Sequence, residues 1–464
     1  MDGRKANSQH RLLPDCHGSQ VSAINDPVAP LAPATGTRGR EACAVSPLSN
    51  RRGDVDRANH RAIRTTRTTP GTRTSTTATR TTTTSTIRAS AARSADHNHP
   101  CHADFSFEEL VQAYLDCRRH KRNTASARRF ELDQEQNLAG LYEELQAGTW
   151  QPGQSICFVV VQPRPREVWA ADFRDRIVHH LFYNRVRARF QNSFIADSYA
   201  CIPGRGTLYG IRRLESKIRS ITQNWSRPAF YLKIDIANFF VSINKNILFN
   251  ILQRKVQEHW LLWLAHTILF HDPRHQVILQ SRPDRLTLIP PYKSLFNQPA
   301  EHGLPIGNLS SQFFANIYLN ELDQFIKHQL RAEHYVRYVD DSILLHESPQ
   351  QLNAWLAEIA NFLPAALDLQ LNPKKTIIQP IARGVDFAGQ VIKPWRTTLR
   401  RRTFNNILQR IDTLPAKDLY ATGNSYFGLL RQATHNHRDR TRLAETLKQR
   451  GSRVNRALTK ITNP

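Results

Sequence analysis

Apolar residues recur at helical spacing over residues 107–117 and 137–145. Leu110, Tyr114 and Cys117, then Leu138, Leu141 and Leu145, fall on one face of each predicted helix. Apolar runs at Ile156–Val161 and Phe230–Ile236 instead predict strands, with an amphipathic stretch from Asp175 to Phe190 between them. A helical region covers Ile247–Phe270, and the Pro-, Arg- and polar-rich segment from His271 to Pro299 predicts a loop or insertion. Helical spacing returns over Ser311–Leu330, with Phe314, Tyr318, Leu322 and Phe325 or Ile326 on one face. Two short apolar runs then flank Tyr338-Val339-Asp340-Asp341 and predict a hairpin with an acidic tip. Beyond Pro394 the pattern is basic and helical, with Phe404, Leu408 and Ile411 in phase. Strands mixed with long helices, without an internal repeat, predict an α+β fold.

Residues 1–103 carry no such pattern. Thr65–Ser90 is nearly all Thr, Arg, Ser and Ala, which offers nothing to bury against the entropy of ordering. A solvated tail, or an over-extended start of the reading frame, outweighs RNA binding through its arginines. The net charge is +25, and the tail does not explain it. Residues 1–100 hold 15 Lys and Arg against 7 Asp and Glu, leaving 49 against 32 on the remainder. A basic excess on the folded part points to a polyanionic partner, nucleic acid above all. Cys16, Cys43, Cys101, Cys117, Cys157 and Cys201 lie far apart and form no C-x-x-C pair. They read as thiols of a reducing cytoplasm rather than a zinc site or disulfide frame. No apolar run reaches the ~20 residues that span a membrane, and the start of the chain has no apolar core of a secretory signal.

The chemistry concentrates in three carboxylates. Asp340 and Asp341 occupy the hairpin tip, and Asp235 ends the apolar strand Phe230-Tyr231-Leu232-Lys233-Ile234. An Asp in a turn is ordinarily a turn former, and a lone Asp at a strand end is ordinarily structural. Together they can share two divalent ions, the requirement of nucleotidyl transfer, and hard oxygen ligands suit Mg²⁺.

The order of further segments carries a resemblance. Asp235 to Phe240, Gly303-Leu304-Pro305-Ile306-Gly307-Asn308-Leu309-Ser310-Ser311-Gln312, and Tyr338-Val339-Asp340-Asp341 resemble motifs A, B and C of reverse transcriptases. Leu371-Asn372-Pro373-Lys374-Lys375-Thr376 is similar to motif D, and Val385-Asp386-Phe387-Ala388-Gly389 to the primer grip. Upstream, Arg164-Pro165-Arg166-Glu167, Asp172 to His180 and Ser198 to Thr207 resemble the fingers motifs. The likeness runs over residues 104–430. It implies a right-hand polymerase with fingers and palm over 104–392 and a basic helical thumb over 393–464.

The resemblance also implies roles. Asp235, Asp340 and Asp341, with the Ile236 carbonyl, hold the two Mg²⁺ ions. Arg164 and Arg166 hold the triphosphate, although an Arg-Pro-Arg run is usually a solvated loop. Phe239 and Phe240 border the sugar, Phe240 as a gate against a 2′-hydroxyl. Gly307 lets the backbone approach the nascent pair, and Lys375, with Lys374 as its rival, protonates pyrophosphate. Phe387, Ala388 and Gly389 grip the primer.

The apolar Ile306 before Gly307, and Gln312 after Ser311, resemble the enzymes of diversity-generating retroelements. Such enzymes copy a template RNA with errors opposite adenine. An apolar wall at Ile306 discriminates less than an amide would. This subtype implies template RNA, cDNA and deoxynucleoside triphosphates as partners, with a small basic accessory protein. Rival readings are a retron, group II intron or phage-defence enzyme and, from another class, an inactive RNA-binding relative. The roughly 75 residues after Gly389 are too few for a nuclease domain of ordinary size, so cutting and insertion fall to other proteins.

Overall fold

The computed structural model describes residues 103–119, 124–161 and 164–462, so the expected tail lies, apart from Ala103, outside the described residues. The chain opens with α1 (Phe107–Arg118), α2 (Ala125–Leu132) and α3 (Gln134–Gln146). Ser106 starts α1 through a reciprocal capping box with Glu109. An antiparallel pair, β1 (Ser155–Val160) and β2 (Arg166–Ala170), leads to α4 (Phe173–Gln191) and α5 (Thr207–Ile221). β3 (Phe230–Ile234) is followed by α6 (Phe239–Ser242), α7 (Lys245–Gln253) and α8 (His259–Phe270). Next come β4 (Val277–Leu279), α9 (Pro283–Leu286) and α10 (Leu309–Gln324), which runs on into a π-helical turn over Phe325–Gln329. The hairpin β5 (His334–Tyr338) and β6 (Asp341–His346) precedes α11 (Pro349–Leu367) and β7 (Ile377–Pro380). A meander of β8 (Val385–Phe387), β9 (Gln390–Lys393) and β10 (Arg396–Leu399) then gives way to α12 (Arg401–Thr413), α13 (Ala416–Leu430) and α14 (His437–Gln449). The small pair β11 (Arg453–Val454) and β12 (Ile461–Thr462) closes the described chain.

The central sheet has the order β5-β6-β3-β7, antiparallel throughout. Its strands alternate between two apolar layers, as a sheet covered on both faces must. Leu232, Ile234, Tyr335 and Leu344 enter the large core shared with α4, α10 and α11. Tyr231, Val336, Ile343 and Leu345 face the opposite way, toward α5 and the β8–β10 meander. A separate core of Leu399, Phe404, Ile411, Phe427, Leu443 and their neighbours holds α12, α13 and α14 together.

Several elements differ from the sequence expectation. The 175–190 stretch forms a helix, but not an amphipathic one. α4 packs against α1, α2, α8 and α10, which bury Ile177, Val178, Leu181, Phe182, Tyr183 and Val186 around most of its girth. The region 247–270 splits into α7 and α8. The supposed loop 271–299 contains β4, which pairs parallel with β1 and extends that sheet. The chain after Pro394 begins with β10 before it turns helical. Of the cysteines, Cys117 and Cys157 are buried and Cys201 is exposed. Among the described residues no helix is long and apolar enough to cross a membrane.

Candidate active site

β3 and β6 bring the acidic groups together. Ile234 pairs with Ser342, so Asp235, one residue further, stands in register beside Asp341. Opposed positions of an antiparallel pair lie ~5 Å apart at Cβ. Tyr338 pairs with Asp341 across a two-residue turn formed by Val339 and Asp340. Val339 has φ 55°, at a turn position that favours glycine.

Electrostatics report the crowding. Burial first, then the charges of Asp341 and Asp235, push the Asp340 carboxyl up to about 7. Asp235 is itself buried, and its carboxylate accepts from Asn372 Nδ2 at 3.0 Å and from Lys375 Nζ at 2.7 Å on each oxygen. The Asn372 backbone N–H also donates to the Asp235 carbonyl at 2.8 Å, which ties the segment after α11 to the end of β3. Lys233 Nζ lies 3.7 Å from Asp341 Oδ1 and donates to the Asp386 carbonyl at 3.2 Å, so it links the acidic tip to β8.

Among the described residues, no three His, Cys, Asp or Glu side chains converge as a ready-made metal set. At Asp235 both carboxylate oxygens face Lys375. The donor chemistry nonetheless fits a hard divalent cation. Three carboxylates share one corner of the sheet, their mutual repulsion is recorded at Asp340, and an ammonium stands in as counter-charge. The two neighbouring lysines part company here. Lys375 reaches the carboxylate, whereas Lys374 donates only its backbone N–H, to Asn372 Oδ1.

The remaining candidates take different positions. Phe240 is half-buried and its carbonyl accepts from Leu304 N–H, whereas Phe239 is buried in the large core. The two rings meet edge-on, with centroids 5.4 Å apart. Ile306 is half-buried, and its carbonyl accepts from the Trp169 N–H of β2 at 2.6 Å. Gly307 follows at φ 135°, where an added Cβ would meet the Trp169 carbonyl at 2.4 Å. Asn308 completes this seam by accepting from the Ala171 N–H. Gln312, in the first turn of α10, accepts from the Cys201 thiol at 3.1 Å. Arg164 is exposed before β2, and Arg166 opens that strand half-buried. Ala388 and Gly389 form the β8–β9 turn with positive φ at both, and Phe387 packs edge-on against Tyr338. The Ile236 backbone runs beside Leu371 in an isolated bridge.

The sequence reading gave no role to Lys233, Asn372, Asp323 or Arg337. The last two form a fully buried ion pair beneath the hairpin, with nitrogen to oxygen at 2.6 Å. A charged residue inside the otherwise apolar run before Tyr338 was the available signal for Arg337.

Comparison with known proteins points to one family. The family model for reverse transcriptase (RNA-dependent DNA polymerase) matches residues 163–392. The COX1/OXI3 intron 2 protein of Saccharomyces cerevisiae is 20% identical over 279 residues, which is 48% of this chain and 30% of the yeast protein. The chain thus spans under a third of that relative's length. With an α+β fold whose antiparallel sheet sets Asp235 beside the Asp340–Asp341 turn, residues 163–392 carry a reverse transcriptase domain, the nucleotidyltransferase unit of RNA-directed DNA polymerases.

Proposed function

We propose that this chain copies RNA into DNA, with Asp235, Asp340 and Asp341 as its catalytic carboxylates. The observation that carries the reading is the register of β3 on β6, which puts a strand-end carboxylate next to an acidic hairpin tip. These three side chains and the Ile236 carbonyl would hold two Mg²⁺ ions. When bound, such ions lower the pKa of the primer hydroxyl and stabilise the triphosphate and departing pyrophosphate. Phe240 borders the sugar, Ile306, Gly307 and Gln312 line the nascent pair, and Arg164, Arg166 and Lys375 serve the triphosphate. Phe387, Ala388 and Gly389 support the primer terminus.

Residues 104–392 act as fingers and palm, and 393–464 as the thumb. The separate core around Phe404 and Phe427 supports that division. The basic helices of this last unit suit the backbone of an RNA–DNA hybrid. The partners are template RNA, cDNA and deoxynucleoside triphosphates. Cys117, Cys157 and Cys201 form no disulfide among the described residues, which favours a reducing cytoplasm.

Ile306 and Gln312 support a finer reading as the error-prone enzyme of a diversity-generating retroelement, working with a small basic accessory protein. The yeast intron protein favours a second reading as a group II intron enzyme. Primer extension on an RNA template tests the activity, with Asp340→Ala as control; equal incorporation by both proteins rejects it. Sequencing the cDNA separates the subtypes. Errors concentrated opposite template adenines favour the retroelement reading, and even fidelity favours the intron reading.

A further inference from the structure

Asp323, near the end of α10, is fully buried and is linked through Arg337 and Tyr335 to both flanks of the acidic tip. On one side its carboxylate accepts from Arg337 Nε at 2.8 Å and Nη2 at 2.6 Å, a two-pronged pair. The third arm of that guanidinium, Nη1, donates to the Val339 carbonyl at 3.1 Å. On the other side Asp323 Oδ1 accepts from the Tyr335 hydroxyl at 2.8 Å, and that hydroxyl lies 3.3 Å from Ser342 Oγ. Val339 precedes Asp340 and Ser342 follows Asp341, so one carboxylate anchors, through Arg337 and Tyr335, the residues on either side of the acidic pair.

The contact has a physical task. Val339 is β-branched and sits at φ 55°, a conformation such residues avoid. Local strain of this kind, left unopposed, shifts a turn toward other conformers by an equilibrium factor of about 10 to 100. The Arg337 hydrogen bond to the Val339 carbonyl opposes that shift at the strained peptide itself. Arg337 is pinned in turn. Its N–H donates to the Asp197 carbonyl at 2.9 Å, and its own carbonyl accepts from Tyr199 N–H at 3.2 Å. The guanidinium has no exposed surface, and Nη1 also donates to Asn316 Oδ1 at 3.3 Å, which holds it against α10.

We propose that Asp323 and Arg337 are positioning residues that hold the strained Val339 turn and thereby aim Asp340 and Asp341. The inference rests on the catalytic reading of those two aspartates. A buried ion pair can serve stability alone, and the two roles differ in what glycine at the turn would do. Glycine adopts positive φ without strain, so it replaces the positioning role and leaves any stability role unaided.

The test is a double-mutant cycle of Arg337→Lys and Val339→Gly, read by primer extension and thermal denaturation. Lysine keeps the charge for Asp323 but lacks the third arm. Arg337→Lys is expected to lower kcat by about 30-fold in the native background and by under about 3-fold in the V339G background, with KM for primer–template constant in both. The drop in melting temperature caused by Arg337→Lys should be the same in both backgrounds. Equal loss of kcat in the two backgrounds overturns the proposal, as does a fully active Arg337→Lys protein. Where Arg337→Lys does not fold, Asp323→Asn, which keeps the volume but replaces one accepting oxygen with a donating amide, enters the same cycle with the same two outcomes. An Asp340→Ala protein as active as wild type would instead reject the underlying catalytic reading, whatever the cycle shows.

Discussion

Lys375 Nζ lies 2.7 Å from each carboxylate oxygen of Asp235, at the edge of the acidic corner. The lysine side chain is 43% exposed and the aspartate 6%, so the cation can withdraw while the carboxylate stays. A divalent ion and this ammonium compete for the same oxygens. Lys375→Met should therefore bind Mn²⁺ several-fold more tightly, measured by electron paramagnetic resonance. If the amine also donates a proton to the leaving pyrophosphate, kcat falls by about 10²-fold in the same variant. Weaker Mn²⁺ binding in Lys375→Met would remove the competition.

Asp340 predicts a pH dependence of stability. Its value in the folded protein, about 7, lies above the ordinary 3.8, so folding takes up a proton between these limits. Without divalent ions, the stability contributed by Asp340 should be greatest near pH 4, decline as pH rises to 7, and level off beyond. Ionisation places a charge beside Asp341 and Asp235 in a buried corner, which is what costs stability. Asp340→Asn should flatten the decline and raise metal-free stability at pH 8 by about 1–3 kcal/mol. Chemical denaturation with chelator at several pH values reads this directly, and a variant with the native slope refutes the assignment.

Gly307→Ala offers a steric test. The added methyl group would overlap the Trp169 carbonyl at a backbone angle that only glycine adopts easily. Loss of roughly 2–4 kcal/mol is expected, with primer extension failing before the fold does. Thermal denaturation alongside extension separates the two effects.

Phe240→Ala should relax sugar selection. The ring is half-buried and its backbone is fixed by Leu304, so truncation opens space without moving α6. Ribonucleotide incorporation should rise by about 10- to 100-fold relative to deoxynucleotides. Unchanged discrimination would move the gate elsewhere.

The parts of this protein that sequence exposes are those with a local signature. The apolar run ending at Asp235 and the two runs around Asp340 are contiguous, and each becomes a strand of the central sheet. Asp323 left no such trace. Beside Glu321 and Gln324 at the end of α10 it resembles a surface charge, and only the fold brings it to Arg337. β4 was hidden for a similar reason: it is three residues long amid Pro and Arg, and its strand character comes from pairing with β1 far away in the chain. α4 misled in the opposite sense. Its Arg and His residues suggest a wet face, yet helices pack on several sides of it and bury His179. The choice between Lys374 and Lys375 lay beyond any pattern, since adjacent lysines differ only in which way the backbone turns them.

The seam between Trp169 and Ile306 is made of main-chain atoms, an N–H and a carbonyl that every residue but proline could supply equally well. The course of this loop is thus indifferent to which side chain follows at position 306. That one codon can be exchanged while the surrounding architecture is inherited intact.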